Sequence, residues 1–137
     1  MRDIEYRGLT RDNEWVYGFF CGCDMCKKAI PEYDKFPLDG LINHKENLYG
    51  NIPVKNVCQF TGLRDAYDNK IYEGDIYYND IDDENGIIVW SDSDAMFVLI
   101  VGNIEYNFGE ANSKYGYVVG DIYKNADLYK FDKFNFK

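Results

Sequence analysis

The pattern of apolar and polar residues predicts short β-strands along most of the chain. After Lys70, apolar runs follow one another, and turn-forming pairs such as Glu73-Gly74, Asn85-Gly86 and Gly102-Asn103 separate them. Gly102-Asn103 lies between two apolar runs and is typical of a two-residue hairpin loop. The predicted strands cover residues 71–72, 75–78, 86–90, 95–101, 104–108 and 117–123. Short strands at this spacing favour a small β-barrel.

The N-terminal part begins with a predicted β-hairpin. Apolar and polar residues alternate from Asp3 to Arg7, residues 11–14 form a polar turn, and an aromatic run follows at residues 15–20. From Cys21 to Asn56 the pattern is irregular and contains three prolines, which indicates loops around a few short strands. We therefore expect an N-terminal hairpin and irregular region over residues 1–70 and a barrel over residues 71–137, packed as one compact all-β unit with little helix.

Alternation along the predicted barrel strands assigns one hydrophobic face to the core. Side chains two positions apart on a strand point to the same face of a sheet. The residues expected on the core face are Ile76, Tyr78, Ile88, Trp90, Phe97, Leu99, Val119 and Ile122.

Length and composition fit one soluble domain. The chain has 137 residues, and its apolar fraction of 46% is ordinary for a globular protein. The longest uninterrupted apolar run covers only residues 95–101, far short of the roughly 18 residues that a membrane span needs. Acidic residues near the N-terminus replace the apolar core of a secretory signal, so we expect a cytoplasmic protein without a membrane partner.

The charge distribution is the most informative feature of the composition. The net charge is −9, and no lysine or arginine occurs between Lys70 and Lys114, where ten acidic residues lie. Nucleic-acid backbones are bound by clustered basic side chains, so direct nucleic-acid binding is disfavoured. We expect an acidic surface that binds a basic protein. The candidate partner-binding residues are Asp80, Asp82, Asp83, Glu84, Asp92 and Asp94.

Four cysteines offer a possible metal site. Three of them form a Cys-x-Cys-x-x-Cys cluster, and zinc prefers four nitrogen or sulfur ligands in a tetrahedron. The zinc candidates are Cys21, Cys23, Cys26, Cys58 and His44. A second matching pair is absent and Cys-x-Cys is a less typical spacing, so we expect reduced thiols, no bound zinc and no other cofactor.

No catalytic motif is recognisable in the sequence. His44 is the sole histidine, and neither a glycine-rich phosphate loop nor a Gly-x-Ser-x-Gly elbow occurs. Glu73 and Asp75 could be paired acids, but catalysis would need a partner base or metal and a pocket. The simpler interpretation is that these residues form a turn. We therefore expect no catalytic residues and a protein that is not an enzyme.

Four segments in the same order resemble the YopX-like proteins of phages and prophages. They are residues 2–7 together with 15–18, residues 59–65 reading Gln-Phe-Thr-Gly-Leu-Arg-Asp, residues 71–76 reading Ile-Tyr-Glu-Gly-Asp-Ile, and residues 119–128. The resemblance spans nearly the whole chain. It implies an all-β protein with an N-terminal hairpin region and an SH3-like C-terminal barrel, in a bacterial host cell. It brings no catalytic residues, and the cysteine cluster lies outside its pattern.

The leading hypothesis is a non-enzymatic protein-binding module with an acidic surface, whose partner is a basic host or phage protein. One alternative is a nucleic-acid mimic that inhibits a host DNA-binding enzyme through rows of carboxylates. Another is a zinc-supported module that uses the cysteine cluster. The aromatic tail with Phe131, Phe134 and Phe136 also predicts association into a homo-oligomer, because such side chains are seldom left in water.

Overall fold

The computed structural model describes residues 5–28, 30, 38–44, 51–125 and 127. It confirms the all-β fold class, and over the described residues it contains two antiparallel sheets and two short helical turns. The strands are β1 (Tyr6–Leu9), β2 (Trp15–Cys21), β3 (Gly40–His44), β4 (Asn51–Arg64), β5 (Lys70–Tyr72), β6 (Asp75–Asn79), β7 (Glu84–Ser91), β8 (Met96–Val101), β9 (Ile104–Asn107) and β10 (Gly116–Asp121). The helical turns are α1 (Asp24–Lys28) and α2 (Glu110–Ser113). The chain divides into two compact units, Met1–Phe60 and Thr61–Lys137.

The first sheet has the strand order β1-β2-β3-β4-β5, and β1 also pairs with β4. These pairings close β1 to β4 into a barrel-like ring. The closure is uneven, because the register between β1 and β4 shifts between Arg7 and Leu9. Opposite this shift, Asn56 adopts a positive φ of 50°, as expected for a residue in a β-bulge. The predicted N-terminal hairpin is confirmed, with Leu9 paired to Trp15 across its polar turn.

Strand β4 begins inside the region that the sequence predicted to be irregular. Its 14 residues start at Asn51, so the last six residues of the region from Cys21 to Asn56 belong to a long strand, whereas the short strand β3 in the same region agrees with the prediction of loops around a few short strands. Pro53 has no backbone N–H to donate, and it pairs with Leu41 of β3. Pro53 and the bulge at Asn56 interrupt the alternation by which a strand is recognised in a sequence.

The second sheet has the order β10-β6-β7-β8-β9. Strands β6 to β9 form a meander, and β10 returns to pair with β6. The two-residue hairpin loop is confirmed, since β8 ends at Val101, β9 begins at Ile104, and Gly102 has a positive φ of 63°. Each strand predicted after Lys70 is present within one or two residues of its expected bounds.

The second sheet carries buried side chains on both faces, which corrects the predicted core. One cluster consists of Ile71, Tyr77, Ile88, Phe97, Leu99, Val101 and Phe108. The other consists of Ile76 and Ile87, with Val89, Val119 and Ile122 packed against them. The predicted set therefore mixes two faces. It also includes two side chains outside the buried core, the half-buried Tyr78 and Trp90, which is 41% exposed.

None of the helices in the described ranges is long and apolar enough to cross a membrane. The tail residues Phe131, Phe134 and Phe136, on which the prediction of a homo-oligomer depends, lie outside the described residues.

Candidate functional site

The six predicted partner-binding residues are all exposed, but they do not form one patch. Asp80, Asp82, Asp83 and Glu84 lie around the β6–β7 turn, which we call the acidic turn. Asp92 and Asp94 lie in the β7–β8 turn, which we call the serine turn. Strand β7 runs from one turn to the other, and its seven residue steps correspond to about 23 Å at roughly 3.3 Å per residue. A single partner side chain cannot reach both sets.

The acidic turn is held in place by hydrogen bonds on both sides. The Asn79 side chain accepts a bond from the Ile81 amide at 3.1 Å and donates one to the Asp82 carboxylate at 2.9 Å. The Asp80 amide donates to the Tyr115 carbonyl at 2.9 Å. These bonds fix the backbone that carries the four carboxylates, so binding a partner costs less conformational entropy than it would for a mobile loop.

A row of three tyrosine rings lies beside the acidic turn. Tyr78 and Tyr117 are cross-strand partners on β6 and β10, and their ring centroids are 5.2 Å apart. Tyr67 continues the row, with its ring centroid 5.3 Å from that of Tyr117, and it is 70% exposed. We call these three residues the tyrosine row. Aromatic faces of this kind bind cations, arginine in particular.

Tyr78 joins the tyrosine row to the acidic turn. Its hydroxyl donates a 2.5 Å hydrogen bond to the Asp83 carboxylate. This hydrogen bond is the main reason that the pKa of Tyr78 is raised to about 12, and the negative charges of Asp83 and Asp80 contribute to the shift. The tyrosine row and the acidic turn are therefore connected through the contact between Tyr78 and Asp83.

A pocket of about 150 Å³ opens next to the acidic turn. Three of its lining side chains, Tyr77, Leu99 and Phe108, belong to the buried core. Its other lining residues are Asn79, Ile81, Asp82, Tyr106, Asn107 and Asn112. The Tyr77 hydroxyl donates to the carbonyls of Asn112 and Ser113, and burial raises the pKa of this phenol. The pocket thus combines apolar walls with amide groups and one carboxylate, and its volume suits a single long side chain.

The serine turn differs in its surroundings. Its hydrogen bonds are local: the Asp94 amide donates to the Ser91 hydroxyl at 3.3 Å, and the hydroxyls of Ser91 and Ser93 are 3.3 Å apart. Neither Asp92 nor Asp94 lines the pocket described above. The nearest aromatic pair in the sheet is Trp90 with Phe97, whose ring centroids are 5.0 Å apart.

The family model described as YopX protein matches residues 5–130. The chain belongs to the YopX protein family. This match covers most of the chain and confirms the resemblance drawn from the four sequence segments. None of the curated proteins compared with the chain matches it.

In the segments that resemble the family, Thr61, Gly74 and Asp75 have structural roles. The Thr61 hydroxyl donates to the Ile71 carbonyl at 2.7 Å and accepts from the Leu63 amide, while the Asp75 carboxylate accepts from the Tyr72 amide at 2.7 Å. Gly74, in the turn between Tyr72 and Asp75, has a positive φ of 86°. The interpretation of Glu73-Gly74 as a turn is therefore confirmed. Asp75 is almost fully buried and Glu73 is only partly exposed, which does not suit an open acid pair.

Asp65, the last residue of the segment 59–65, organises the turn that follows it and supports the tyrosine row. It is fully buried, and its carboxylate accepts hydrogen bonds from the amides of Tyr67, Asn69 and Val118 at 2.9 to 3.0 Å. These bonds fix the turn that carries Tyr67 to the strand that carries Tyr117.

The zinc candidates of the YopX chain are only partly brought together. The sulfur atoms of Cys21 and Cys23 are 3.2 Å apart. Cys58 is buried on β4 opposite Arg7, and its thiol donates to the Asn56 carbonyl. The backbone of His44 pairs with Gly18, three residues or about 10 Å along β2 from Cys21. The side chains of Cys26 and His44 lie outside the described part, and within that part no three His, Cys, Asp or Glu side chains form a metal-binding group.

Proposed function

We propose that this YopX protein is a non-enzymatic protein-binding module whose basic partner docks on the surface around the acidic turn. One observation carries the proposal: four exposed carboxylates on a fixed turn adjoin both the tyrosine row and the pocket. Carboxylates attract a basic partner over a distance, whereas tyrosine rings and a side-chain pocket supply contact area and specificity. The serine turn has the charge but not these neighbours.

The chemistry of the surface favours arginine over lysine in the partner. A guanidinium group is planar, stacks on tyrosine rings and donates several hydrogen bonds in a fixed fork. The pocket is lined by Asp82, whose carboxylate can accept such hydrogen bonds, and by the amide side chains of Asn107 and Asn112. Its apolar walls suit the methylene stem of an arginine that enters the pocket, while a different arginine of the partner stacks on the tyrosine row, because Tyr77 and Tyr78 are consecutive on β6 and point to opposite faces of the sheet.

The test compares two charge-neutralised variants in binding to a defined probe. The first variant carries D82N and D83N, and the matched control, which loses the same number of charges, carries D92N and D94N at the serine turn. Short arginine-rich, lysine-rich and uncharged peptides of equal length are titrated into each protein at low and at high salt, with binding followed by NMR chemical shifts and by calorimetry.

We expect the arginine-rich peptide to bind the parent and the serine-turn control equally, and the acidic-turn variant about tenfold more weakly at low salt. Shifts should concentrate on the tyrosine row and the pocket. Equal weakening in both variants would contradict the proposal, because net charge alone would then explain binding. If the peptide binds as expected, capture experiments with the same two variants would identify the natural partner. Salt-insensitive binding of duplex DNA by the parent would contradict the acidic surface altogether.

A further inference from the structure

The thiols of Cys21 and Cys23 lie close enough together to act as a pair. Their sulfur atoms are 3.2 Å apart; Cys21 is partly exposed and Cys23 is exposed. A tetrahedral zinc ion with Zn–S distances of about 2.3 Å holds its sulfur ligands about 3.8 Å apart, so these two thiols lie closer than zinc ligands normally do. A disulfide bond requires an approach to about 2.05 Å, which is a movement of little more than 1 Å for the pair.

The surrounding backbone explains the proximity of the two thiols. Cys21 is the last residue of β2, where it pairs with Leu41 of β3, and the chain bends at Cys23 before α1. The backbone is crowded at this corner, because a Cβ atom on Gly40 would come within 2.2 Å of the Cys21 carbonyl oxygen. Cys21 is therefore fixed by the sheet, while Cys23 lies on the solvent side of the bend.

We propose that Cys21 and Cys23 form a redox site that is reversibly oxidised to an intramolecular disulfide by low-molecular-weight disulfides such as oxidised glutathione. In the first step the thiolate of exposed Cys23 attacks one sulfur of the small disulfide, forms a mixed disulfide and releases one small thiolate, which takes up the proton lost by Cys23. In the second step the thiolate of Cys21 attacks the Cys23 sulfur and releases the second small thiolate, which takes up the proton of Cys21. The protein loses two hydrogen atoms, and one small disulfide becomes two small thiols.

The disulfide should be easy to reduce again. Only one residue separates the two cysteines, so the ring that the bond closes is small and departs from relaxed disulfide geometry. Strained and exposed disulfides have higher reduction potentials than buried structural ones. The site is therefore expected to respond to the thiol balance of its surroundings rather than to staple the fold.

The test uses the full-length reduced protein equilibrated with glutathione buffers of different composition, without oxygen or metal. After acid quenching and denaturation, the remaining thiols are alkylated and the mass of the intact chain is measured. Cyanogen bromide cleaves after Met25 and separates Cys26 from the pair, so the fragment that contains Cys21 and Cys23 is assigned without ambiguity.

We expect this fragment to lose two hydrogen atoms and both alkylation sites in excess oxidised glutathione, and to recover both sites in excess reduced glutathione. Cys26 and Cys58 should remain alkylated. C21S and C23S should stop at a mixed disulfide with glutathione or stay reduced, whereas C58S, whose cysteine is buried on β4, should behave as the parent.

Three results would overturn the proposal. The fragment could remain fully alkylated at every glutathione ratio, or the bond could form to Cys26 instead of within the pair. The protein as isolated could also contain about one zinc ion per chain that blocks alkylation of Cys21 and Cys23, which would make the cluster a structural metal site. The mapping on the parent protein decides between these results even if one of the serine variants fails to fold.

Discussion

The two turns at the ends of β7 carry the same kind of charge in very different surroundings. The acidic turn adjoins the tyrosine row and a pocket, and hydrogen bonds from Asn79 and to Tyr115 fix its backbone. The serine turn presents Asp92 and Asp94 on a loop whose contacts are with its own serines. Charge alone therefore does not distinguish a binding surface from a solvated loop in this protein, whereas the neighbouring side chains do.

The core beneath each end of the sheet contains an aromatic pair of the same kind. Tyr77 and Phe108 pack edge to face near the pocket, with ring centroids 5.0 Å apart, and Trp90 and Phe97 pack in the same manner toward the serine turn. Tyr77, Phe97 and Phe108 belong to one buried cluster. Both turns thus rest on a shared core, and a large core defect should affect both, whereas surface changes should affect only one.

The largest expected effect is the loss of this shared core. Phe97→Ala removes a ring that is only 6% exposed and should lower the free energy of unfolding by about 3–5 kcal/mol. Trp90→Ala is the matched control, because Trp90 touches the same ring but is 41% exposed, and it should cost clearly less. Urea denaturation followed by circular dichroism measures both. Equal costs for the two variants would show that the burial of Phe97 does not determine the stability of this core.

The strands after Lys70 were predictable because residues that favour turns bound each apolar run. Which side chains form the core was less predictable. Alternation assigns one face to the core only when the other face meets water, and this sheet buries Tyr77 on one face and Ile76 on the other. The start of β4 was missed because Pro53 and the bulge at Asn56 break the alternation.

The candidate site was predictable only in part. The exposure of the carboxylates follows from their place in polar turns, and it is confirmed for all six predicted residues. Their separation by the length of β7 was missed, since residues 80–94 form one short segment of sequence. The tyrosine row was also missed, because Tyr67, Tyr78 and Tyr117 are far apart in the chain and meet only through strand pairing. The high number of tyrosines in the sequence was the available indication of such a row, but this number does not show which tyrosines meet.

The next largest effect concerns the support of the tyrosine row. Asp65→Ala leaves the amides of Tyr67, Asn69 and Val118 without their carboxylate acceptor in a buried site and should cost about 2–3 kcal/mol of stability. Asp68→Asn is the control, because Asp68 is exposed, its 3.9 Å ion pair with Arg64 is worth about 0–1 kcal/mol, and asparagine tolerates the positive φ of 67° at this position. Thermal melts compare the two. A cost for Asp65→Ala as small as that of the control would refute the role of Asp65 as organiser of the turn.

A smaller effect separates binding from stability at the pocket. Ile81 is 69% exposed and lines the pocket, so Ile81→Ala should change stability by less than about 0.5 kcal/mol. If the arginine-rich peptide occupies this pocket, the same change should weaken its binding by about 1 kcal/mol. Ile104→Ala removes an apolar side chain of similar exposure, 53%, that does not line the pocket, and it should bind as the parent does. Equal calorimetric affinities for all three proteins would exclude the pocket from the binding surface.

The smallest expected effect is the titration of Tyr78, which reports directly on the contact between the tyrosine row and the acidic turn. The hydroxyl of Tyr78 donates to Asp83, and this bond is lost when the phenol ionises beside the carboxylate, so the pKa of Tyr78 is raised to about 12. A pKa raised by folding means that the contribution to stability is complete below the unfolded value near 10 and is lost as the pH rises toward 12. At pH 11 about a tenth of Tyr78 should therefore be ionised in the parent.

Asp83→Asn removes the charge and should bring the pKa of Tyr78 closer to 10, so that most of this phenol is ionised at pH 11. Asp94→Asn at the far end of β7 should leave the titration unchanged, because the shift depends on neighbours of the acidic turn. NMR of carbon-labelled tyrosine rings resolves the residue, and Tyr78→Phe assigns its signal. If Asp94→Asn moved the pKa of Tyr78 as far as Asp83→Asn does, the shift would come from the overall charge of the protein, and the two turns would not differ in the way their surroundings indicate.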